Sequence, residues 1–321
     1  MTTSPKVAAI VNPCAAGGET ARRWPELESL LQRSLGPVTT RFTRAPGSGT
    51  TIARELLRQG YDLLVAVGGD GTINEVANGF FEQDRLIRPE ARLGILPLGT
   101  GGDFRRTLGI PANPAQAVEI LAQGIPLPID VGKVSFQTAK GTRENRYFVN
   151  MVSFGMGGLV AARSKNALRR LGGKAAFLWA TLVTFLSYRG KQVELKIDDA
   201  REGLPFLVTN VAVGNGQFHG GGMRPCPTAK LDDGIFEVTV IDYAGAVELI
   251  RSLPVLYSGE IYQHPKVHHL RASTLAAESV VATHIEVDGE ALGRLPLQVS
   301  ILPQRLPVLV SASSPLLAGK Q

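Results

Sequence analysis

Aromatic residues are scarce in this 321-residue chain, at 6%. No stretch interleaves them with basic residues as a nucleic-acid-binding surface would, so no nucleic-acid partner is expected. There are two cysteines, Cys14 and Cys226, far apart and at no metal-ligand spacing. They read as free thiols in a reducing compartment. Met1 to Lys6 lead straight into the apolar run Val7 to Val11, with none of the architecture of a signal peptide. The longest apolar stretch, Ala175 to Tyr188, is broken by threonines and a serine. It falls short of the roughly 20 apolar residues that span a bilayer. These absences exclude an integral helical membrane protein and point to the cytoplasm. Internal repeats and low-complexity segments are missing as well.

What is present is ordinary globular composition, 44% hydrophobic and 19% charged, in a chain long enough for two domains. The net charge of +6 and the pI of about 9.4 suit nucleotide phosphates and anionic membrane surfaces equally. The first third alternates strand and helix. Strands are expected at Lys6–Pro13, Val38–Thr43, Asp62–Val67 and Leu93–Leu98. Helices are expected at Thr20–Ser34, Gly49–Gln59, after Asp70, near Asp103–Leu108 and at Asn113–Gln123. Repeated βα units imply a doubly wound parallel sheet with ligands at the carboxyl ends of its strands. From about Pro126 the texture changes to short alternating segments. These predict strands at 130–136, 146–153, 193–197, 206–213, 235–241, 284–287, 297–302 and 306–310, forming an antiparallel β-sandwich. A helical insertion at 159–187 interrupts them.

The densest signal is Gly68-Gly69-Asp70-Gly71-Thr72-Ile73-Asn74-Glu75, after the apolar run Leu63–Val67. A strand, a glycine-rich turn and a helix together present backbone N–H groups to a phosphate. Asp70 would repel that phosphate, so it acts through a metal ion or a hydrogen-bond network. A tight turn with an N-capping Asp or Thr is the plainer alternative. Two further glycine-rich loops follow strands at the same end of the sheet, Asn12–Gly18 and Leu98–Asp103. Together the three favour a nucleotide site. No Gly-Lys-Ser/Thr follows at Walker A spacing, and the Rossmann fingerprint is absent.

Gly-Gly-Asp-Gly-Thr with Asn74-Glu75 resembles the lipid kinase superfamily of diacylglycerol and sphingosine kinases. NAD kinases and phosphofructokinases share the Gly-Gly-Asp-Gly core but usually lack the Asn-Glu pair. The resemblance extends over nearly the whole chain. It includes Asn12-Pro13 with Gly17-Gly18, Thr43 ahead of Gly47, and Pro97-Leu98-Gly99-Thr100. It also includes the glycine-rich Gly214–Met223, Leu231-Asp232-Asp233-Gly234 and Asp288-Gly289-Glu290. The chain departs at Gly101-Gly102, where the family usually carries an Asn.

The resemblance implies a nucleotide domain at 1–125 completed by 304–321, and a lipid-substrate domain at 126–303. It implies ATP and Mg²⁺ as cofactors, with Mg-ATP in a cleft between the domains. Nucleotide contacts would come from Asn12, Thr43, Gly68 to Glu75, Gly99 and Thr100. Asp70 would hold or organise the metal. Glu290 would be the base for the acceptor hydroxyl and Asp288 its supporting carboxylate, although an Asp-Gly hairpin with an exposed Glu is the plainer reading of that motif. A structural Mg²⁺ would take the Asp233 carboxylate and the carbonyls of Lys230 and Ile235, against a hairpin turn that needs no metal.

The expected function is ATP-dependent phosphorylation of a lipid hydroxyl by a peripheral protein at an anionic membrane surface. Arg163, Lys165, Arg169, Arg170 and Lys174, ahead of the apolar Ala175–Leu186, would dock it. A core helix with a solvated basic flank fits the same residues. No acid occurs in Ser153–Gly158, where the resembled family often carries an Asp that in sphingosine kinases engages the lipid's amine. This counts against sphingosine and leaves a diacylglycerol-like or ceramide-like lipid, or another polyisoprenoid or glycerol lipid, open. An NAD kinase-like activity on a soluble substrate and an inactive nucleotide-binding regulator are the alternatives. A homodimer stays open. His264, His268 and His269 show no ligand spacing and are expected in loops.

Overall fold

In the computed structural model, residues 5–99, 101–171, 181, 183–184 and 187–317 are described. The chain forms two compact units, 1–131 with 302–321, and 132–301.

The first unit is built on parallel strands β1 (Val7–Val11), β2 (Val38–Phe42), β3 (Leu63–Gly68) and β6 (Arg92–Pro97). A small hairpin, β4 (Phe81–Glu82) and β5 (Arg85–Leu86), lies between β3 and β6 in sequence. The strand order is β2-β1-β3-β6, and Val308 near the chain's end adds a parallel strand beside Leu93. Every residue of β1 and β3 is buried, as expected of strands covered on both faces. Helices α1 (Glu19–Leu35) and α5 (Pro114–Gln123) pack on each other, as do α2 (Ser48–Arg58) and α3 (Asp70–Gly79). A Cβ on Gly79 would come 2.5 Å from the Ala53 Cβ, so the α2–α3 crossing depends on that glycine. Asn113 caps α5 by accepting the Ala115 N–H, with Pro114 in the first turn. The short helix α4 (Asp103–Leu108) completes this unit.

The second unit is antiparallel. Strand β7 (Ile125–Thr138) enters it and pairs with β8 (Arg143–Phe148). Strand β9 (Met151–Gly155) leads into α6 (Met156–Leu171), which packs on β9 and on the later strand at His284–Val287. Strands β10 (Lys191–Ile197), β11 (Leu204–Gly214) and β12 (Phe236–Asp242) follow, then a helix at Ala246–Ser258. The last strands are β13 (Val267–Ala272), β14 (Thr274–Glu278), β15 (His284–Val287) and the long β16 (Glu290–Val310). Strand β11 serves two neighbours on one edge: residues up to Val208 pair with β10, and residues from Asn210 pair with β9. The register shifts between them, where the buried Thr209 turns its hydroxyl to the Asp242 carbonyl. The core gathers Phe136, Phe148, Phe154, Phe236 and the Val and Leu side chains around them. Phe148 and Phe236 stack at 5.5 Å. A Cβ on Gly132 would overlap the Phe148 ring.

The architecture agrees with the fold expected from sequence, and several elements differ in detail. The single strand expected over 146–153 is two. The break at Val149-Asn150 arises because the N–H groups of Val149, Asn150 and Met151 turn to the Asp288 carboxylate rather than to a neighbouring strand. The strands expected at 297–302 and 306–310 are one, β16, which runs through Pro303 without a break. The helix at 246–258 and strands β13 and β14 were not anticipated. His268 and His269, expected in loops, lie on β13 and bond Asp242 and Glu237 of β12; His264 alone follows a loop turn, with its ring on Ser252 Oγ.

Candidate active site

In the first unit, three loops meet at the carboxyl ends of β1, β3 and β6. The loop after β1 runs through left-handed residues Ala16 (φ 52°), Gly17 (φ 70°) and Gly18 (φ 90°) into α1. Cβ atoms at Gly17 and Gly18 would meet nothing within 4 Å, so this backbone faces open space. Asn12 donates from Nδ2 to Thr72 Oγ1 at 3.1 Å and accepts the Cys14 N–H at 3.0 Å, tying the first loop to the second. The second and third loops touch backbone to backbone. The Leu98 N–H bonds the Gly68 carbonyl at 2.9 Å, and a Cβ on Gly99 would overlap the Gly69 Cα. Only glycine fits at 99, for steric reasons.

Asp70 is half-buried and receives the N–H groups of Asp103 (3.2 Å) and Phe104 (3.1 Å). The Asp of the Gly-Gly-Asp-Gly turn thus caps α4 and fixes the loop that carries Gly99 to Gly102. Other expected nucleotide contacts are committed elsewhere. The Glu75 carboxylate accepts the N–H groups of Gly47 (2.7 Å) and Gly49 (2.8 Å) and holds the start of α2. Asn74 is 3% exposed and bonds Asn78, and Ile73 is a core residue at 1%. Their side chains order the loop rather than face a ligand. Gly71 starts α3 beside Asp70, and the Thr43 N–H bonds the Val11 carbonyl at the end of β2. Thr100 lies outside the described residues.

A pocket of about 270 Å³ opens beside these loops. It is lined by Ala16, Thr20, Pro97, Leu98, Gly99, Gly101 and Ala112, by the cations Arg23, Arg105 and Arg106, and by one acid, Glu19, which pairs with Arg22. Arg106 is held by Asp103 (2.8 Å) and the Gly101 carbonyl (2.6 Å), and Arg105 by the Ile110 carbonyl. Burial lowers the Arg105 pKa, and Arg106 lowers it further, against the opposing pull of Asp70 and Asp103. Arg23, half-buried, makes no hydrogen bond or ion pair with a described residue. Sequence reasoning did not single out these three arginines. The signal was there for two of them, since Arg105-Arg106 directly follow the Asp103-Phe104 that closes the glycine loop.

In the second unit, Asp288-Gly289 is a two-residue hairpin turn between β15 and β16, with φ of 45° and 90°. Asp288 is 4% exposed. Its carboxylate accepts three N–H groups, from Val149 (2.9 Å), Asn150 (3.1 Å) and Met151 (2.7 Å). The support Asp288 gives is therefore to the 149–151 backbone. That backbone in turn holds the glycine-rich stretch, through Asn215 on the Val149 carbonyl (2.8 Å) and Asn150 on the Phe218 carbonyl (2.9 Å). Glu290, one-third exposed, pairs with Arg146 at 3.2 Å. Glu286, two residues before Asp288 on the same face, is buried and bonds Ser153 Oγ (3.1 Å) and His219 Nε2 (3.1 Å).

The expected metal turn at 230–235 holds its own cation. The Asp233 carboxylate accepts the Ile235 N–H at 3.2 Å and the Arg271 guanidinium at 2.9 Å. A guanidinium at that oxygen repels a second cation, so Lys230, Asp233 and Ile235 as placed do not fit Mg²⁺. Among the described residues, no group of three or more His, Cys, Asp or Glu side chains is poised for a metal. Of the expected membrane-docking residues, Arg163 donates to Thr184 Oγ1 (3.0 Å) and Ser187 Oγ (2.9 Å). The Lys165, Arg169 and Arg170 side chains, Lys174 and most of 175–186 lie outside the described residues. No helix among the described residues is long and apolar enough to cross a membrane.

Residues 6–134 match the diacylglycerol kinase catalytic domain, and residues 150–310 match the YegS C-terminal NAD kinase beta sandwich-like domain. The chain is 31% identical to a diacylglycerol kinase of Staphylococcus saprophyticus, over 93% of each chain. It is 33% identical to a protein of Pseudomonas aeruginosa named probable lipid kinase YegS-like, over 97% of this chain and 96% of that one. Two solved structures share the fold. A diacylglycerol kinase from Bacillus anthracis has a TM-score of 0.70 and 24% identity, covering 98% of this chain and 100% of that one. Yeast NADH kinase has a TM-score of 0.52 and 13% identity, covering 98% and 86%. With both halves matched in order and the glycine loops in place, the chain belongs to the diacylglycerol kinase-like family of lipid kinases.

Proposed function

We propose that this chain transfers the terminal phosphoryl group of ATP to the hydroxyl of a diacylglycerol-like or ceramide-like lipid. The observation that carries the reading is the contact of Gly69 with Gly99 beside a pocket holding three arginines. Two backbones in contact there leave their N–H edges and the Arg23, Arg105 and Arg106 guanidiniums for a polyphosphate. Asp70 serves by locking the loop that follows Gly99, through the Asp103 and Phe104 N–H groups. A Mg²⁺ arriving on the nucleotide would supply charge neutralisation.

Glu290 takes the proton of the acceptor hydroxyl. Its carboxylate is oriented by Arg146 at 3.2 Å, and its partial exposure leaves it reachable. Asp288 sets the turn that carries Glu290 but is too committed to backbone N–H groups to act as a base. The basic segment around Arg169, Arg170 and Lys174 brings the protein to anionic lipid as a peripheral enzyme.

The test is direct. Purified protein is incubated with labelled ATP and a panel of lipids in mixed micelles, with NAD as a control acceptor. Label in diacylglycerol or ceramide supports the reading. Label in NAD alone, or in no acceptor, ends it.

A further inference from the structure

The second unit leaves an apolar patch in solvent at the start of β10. The loop 279–283 between β14 and β15 carries Val280, which is 104% exposed, and Val281, at 51%. The loop is tied down. The buried Thr283 hydroxyl bridges Ser279 Oγ (3.2 Å) and the Val281 carbonyl (3.0 Å), and Ser279 donates to the Gln192 carbonyl of β10 (2.7 Å). On the other side of β10, Leu207 lies in register with Gln192. Leu207 and Tyr243, both exposed, close on Gly190, where a Cβ would come 3.0 and 2.7 Å from them. Single exposed apolar residues need no explanation, but two pairs flanking one strand end do.

The charge around this patch is positive. His284 ends the loop, opposite Arg294 in the β15–β16 register. Burial lowers the His284 pKa, and Arg294, Lys191 and Arg163 lower it further, with no carboxylate among the described residues opposing them. These three cations have neutral partners at most. Arg163 donates to the Thr184 and Ser187 hydroxyls and Arg294 to the Ala139 carbonyl, and none of the three forms an ion pair with a described residue. The acids of the neighbouring strands are largely committed. Asp242 pairs with His268, Glu248 with Lys266, and Glu286 is buried on Ser153 and His219. Glu278 and Glu194 remain, opposite each other on β14 and β10. Against those two, Arg163, Lys191, Arg294 and the exposed Arg189 leave a positive excess.

We propose that this rim docks on an anionic lipid bilayer, with Val280 and Val281 entering its apolar layer while Lys191, Arg163 and Arg294 meet lipid phosphates. A protruding tip suits a fluid surface that closes around it better than a rigid partner. The inference rests on the lipid kinase reading and adds to it a contact made by strands and a loop.

Sedimentation of the full-length protein with vesicles tests it, using phosphatidylglycerol mixed with phosphatidylcholine against phosphatidylcholine alone. Val280→Asp/Val281→Asp changes side chains that already stand in solvent, and should weaken partition onto the anionic vesicles by about tenfold or more. Lys191→Ala/Arg294→Ala should weaken it by about tenfold, and that loss should shrink as salt is raised. An environment-sensitive fluorophore on Val280→Cys, in a Cys14→Ser background that leaves only the buried Cys226, should shift to the blue on these vesicles. Both double variants should phosphorylate a soluble short-chain acceptor at the parent's rate. Unchanged partition in both, or a fluorophore that stays in water on bound vesicles, overturns the proposal. So does a change from dimer to monomer in the valine variant with partition unaltered, which would make the patch a contact between copies. A parent protein that sediments with the vesicles yet labels no lipid would end the kinase reading and leave the docking standing.

Discussion

At the residue scale, two carboxylates one turn apart have been given opposite work. Asp288 is buried on three N–H groups, whereas Glu290 meets solvent and one arginine. Their variants should separate accordingly. Glu290→Gln should fold as the parent does, keep its KM for ATP and lose kcat by two orders of magnitude or more, the pattern of a lost transition-state interaction. Asp288→Ala should leave three buried donors unpaired and cost on the order of 3 kcal/mol in a urea titration followed by circular dichroism. If Glu290→Gln raises the ATP KM and spares kcat, the base lies elsewhere. Asp70 combines both kinds of work. Asp70→Asn keeps one acceptor for the start of α4, so it should lose about 1 kcal/mol of stability but nearly all turnover. Wild-type turnover in that variant would reduce Asp70 to a helix cap.

These residues mark the limit of what the chain reveals unfolded. The Gly-Gly-Asp-Gly turn is legible because a strand buried on both faces reads as an unbroken apolar run with glycines at its end. That Asp70 caps α4, 33 residues on, is not, since nothing local says where its oxygens point. Arg23 and Arg105 share one pocket across 82 positions, and only the folded sheet brings them together.

At the scale of elements, the loops after β3 and β6 behave as one. Gly99→Ala would place a methyl group on the Gly69 backbone, so the loops must part. The expected result is a folded protein with a lowered melting temperature and a raised KM for ATP. An unchanged KM would show that the nucleotide does not depend on this contact. At the opposite end of β3, Asp62 accepts the Lys6 N–H (2.8 Å) and an Arg88 guanidinium (2.6 Å). Burial pushes its pKa up, but those two donors outweigh it and hold the pKa below the usual 3.8. Its stabilisation is therefore complete above the unfolded-state pKa and is lost as pH falls through the lower folded value. Melting curves between pH 6 and 2.5 should show a shallower acid limb for Asp62→Asn; an identical limb would place the effect elsewhere.

Element by element, the parallel half of the fold was the more legible, because each of its strands is a compact apolar run between turns. The helix at 246–258 was hidden by Pro254, which reads as a breaker, and it buries no side chain fully. Strand β13 was hidden by His268 and His269, whose carboxylate partners stand on the neighbouring strand.

At the scale of the whole molecule, the net charge of +6 suits both the nucleotide and the anionic membrane proposed above. Reversing Arg169, Arg170 and Lys174 to Glu should weaken sedimentation with anionic liposomes, most at low salt, while a soluble short-chain acceptor is still phosphorylated. Unaltered sedimentation would leave the segment a core helix with a solvated flank.

The first unit takes its last strand from the far end of the chain. Leu306, Val308 and Val310 are fully buried, Val308 lies beside Leu93, and the Ser314 hydroxyl reaches the Leu108 carbonyl. During synthesis, the residues that emerge first are thus the ones that wait longest. Until residue 310 clears the ribosome, β6 presents an open edge of unpaired backbone to the cell. A chain lacking residues 302–321 would keep all three glycine-rich loops yet be left with an exposed strand as a template for aggregation. Quality control would then act on the C-terminus of this protein as strictly as on its active site.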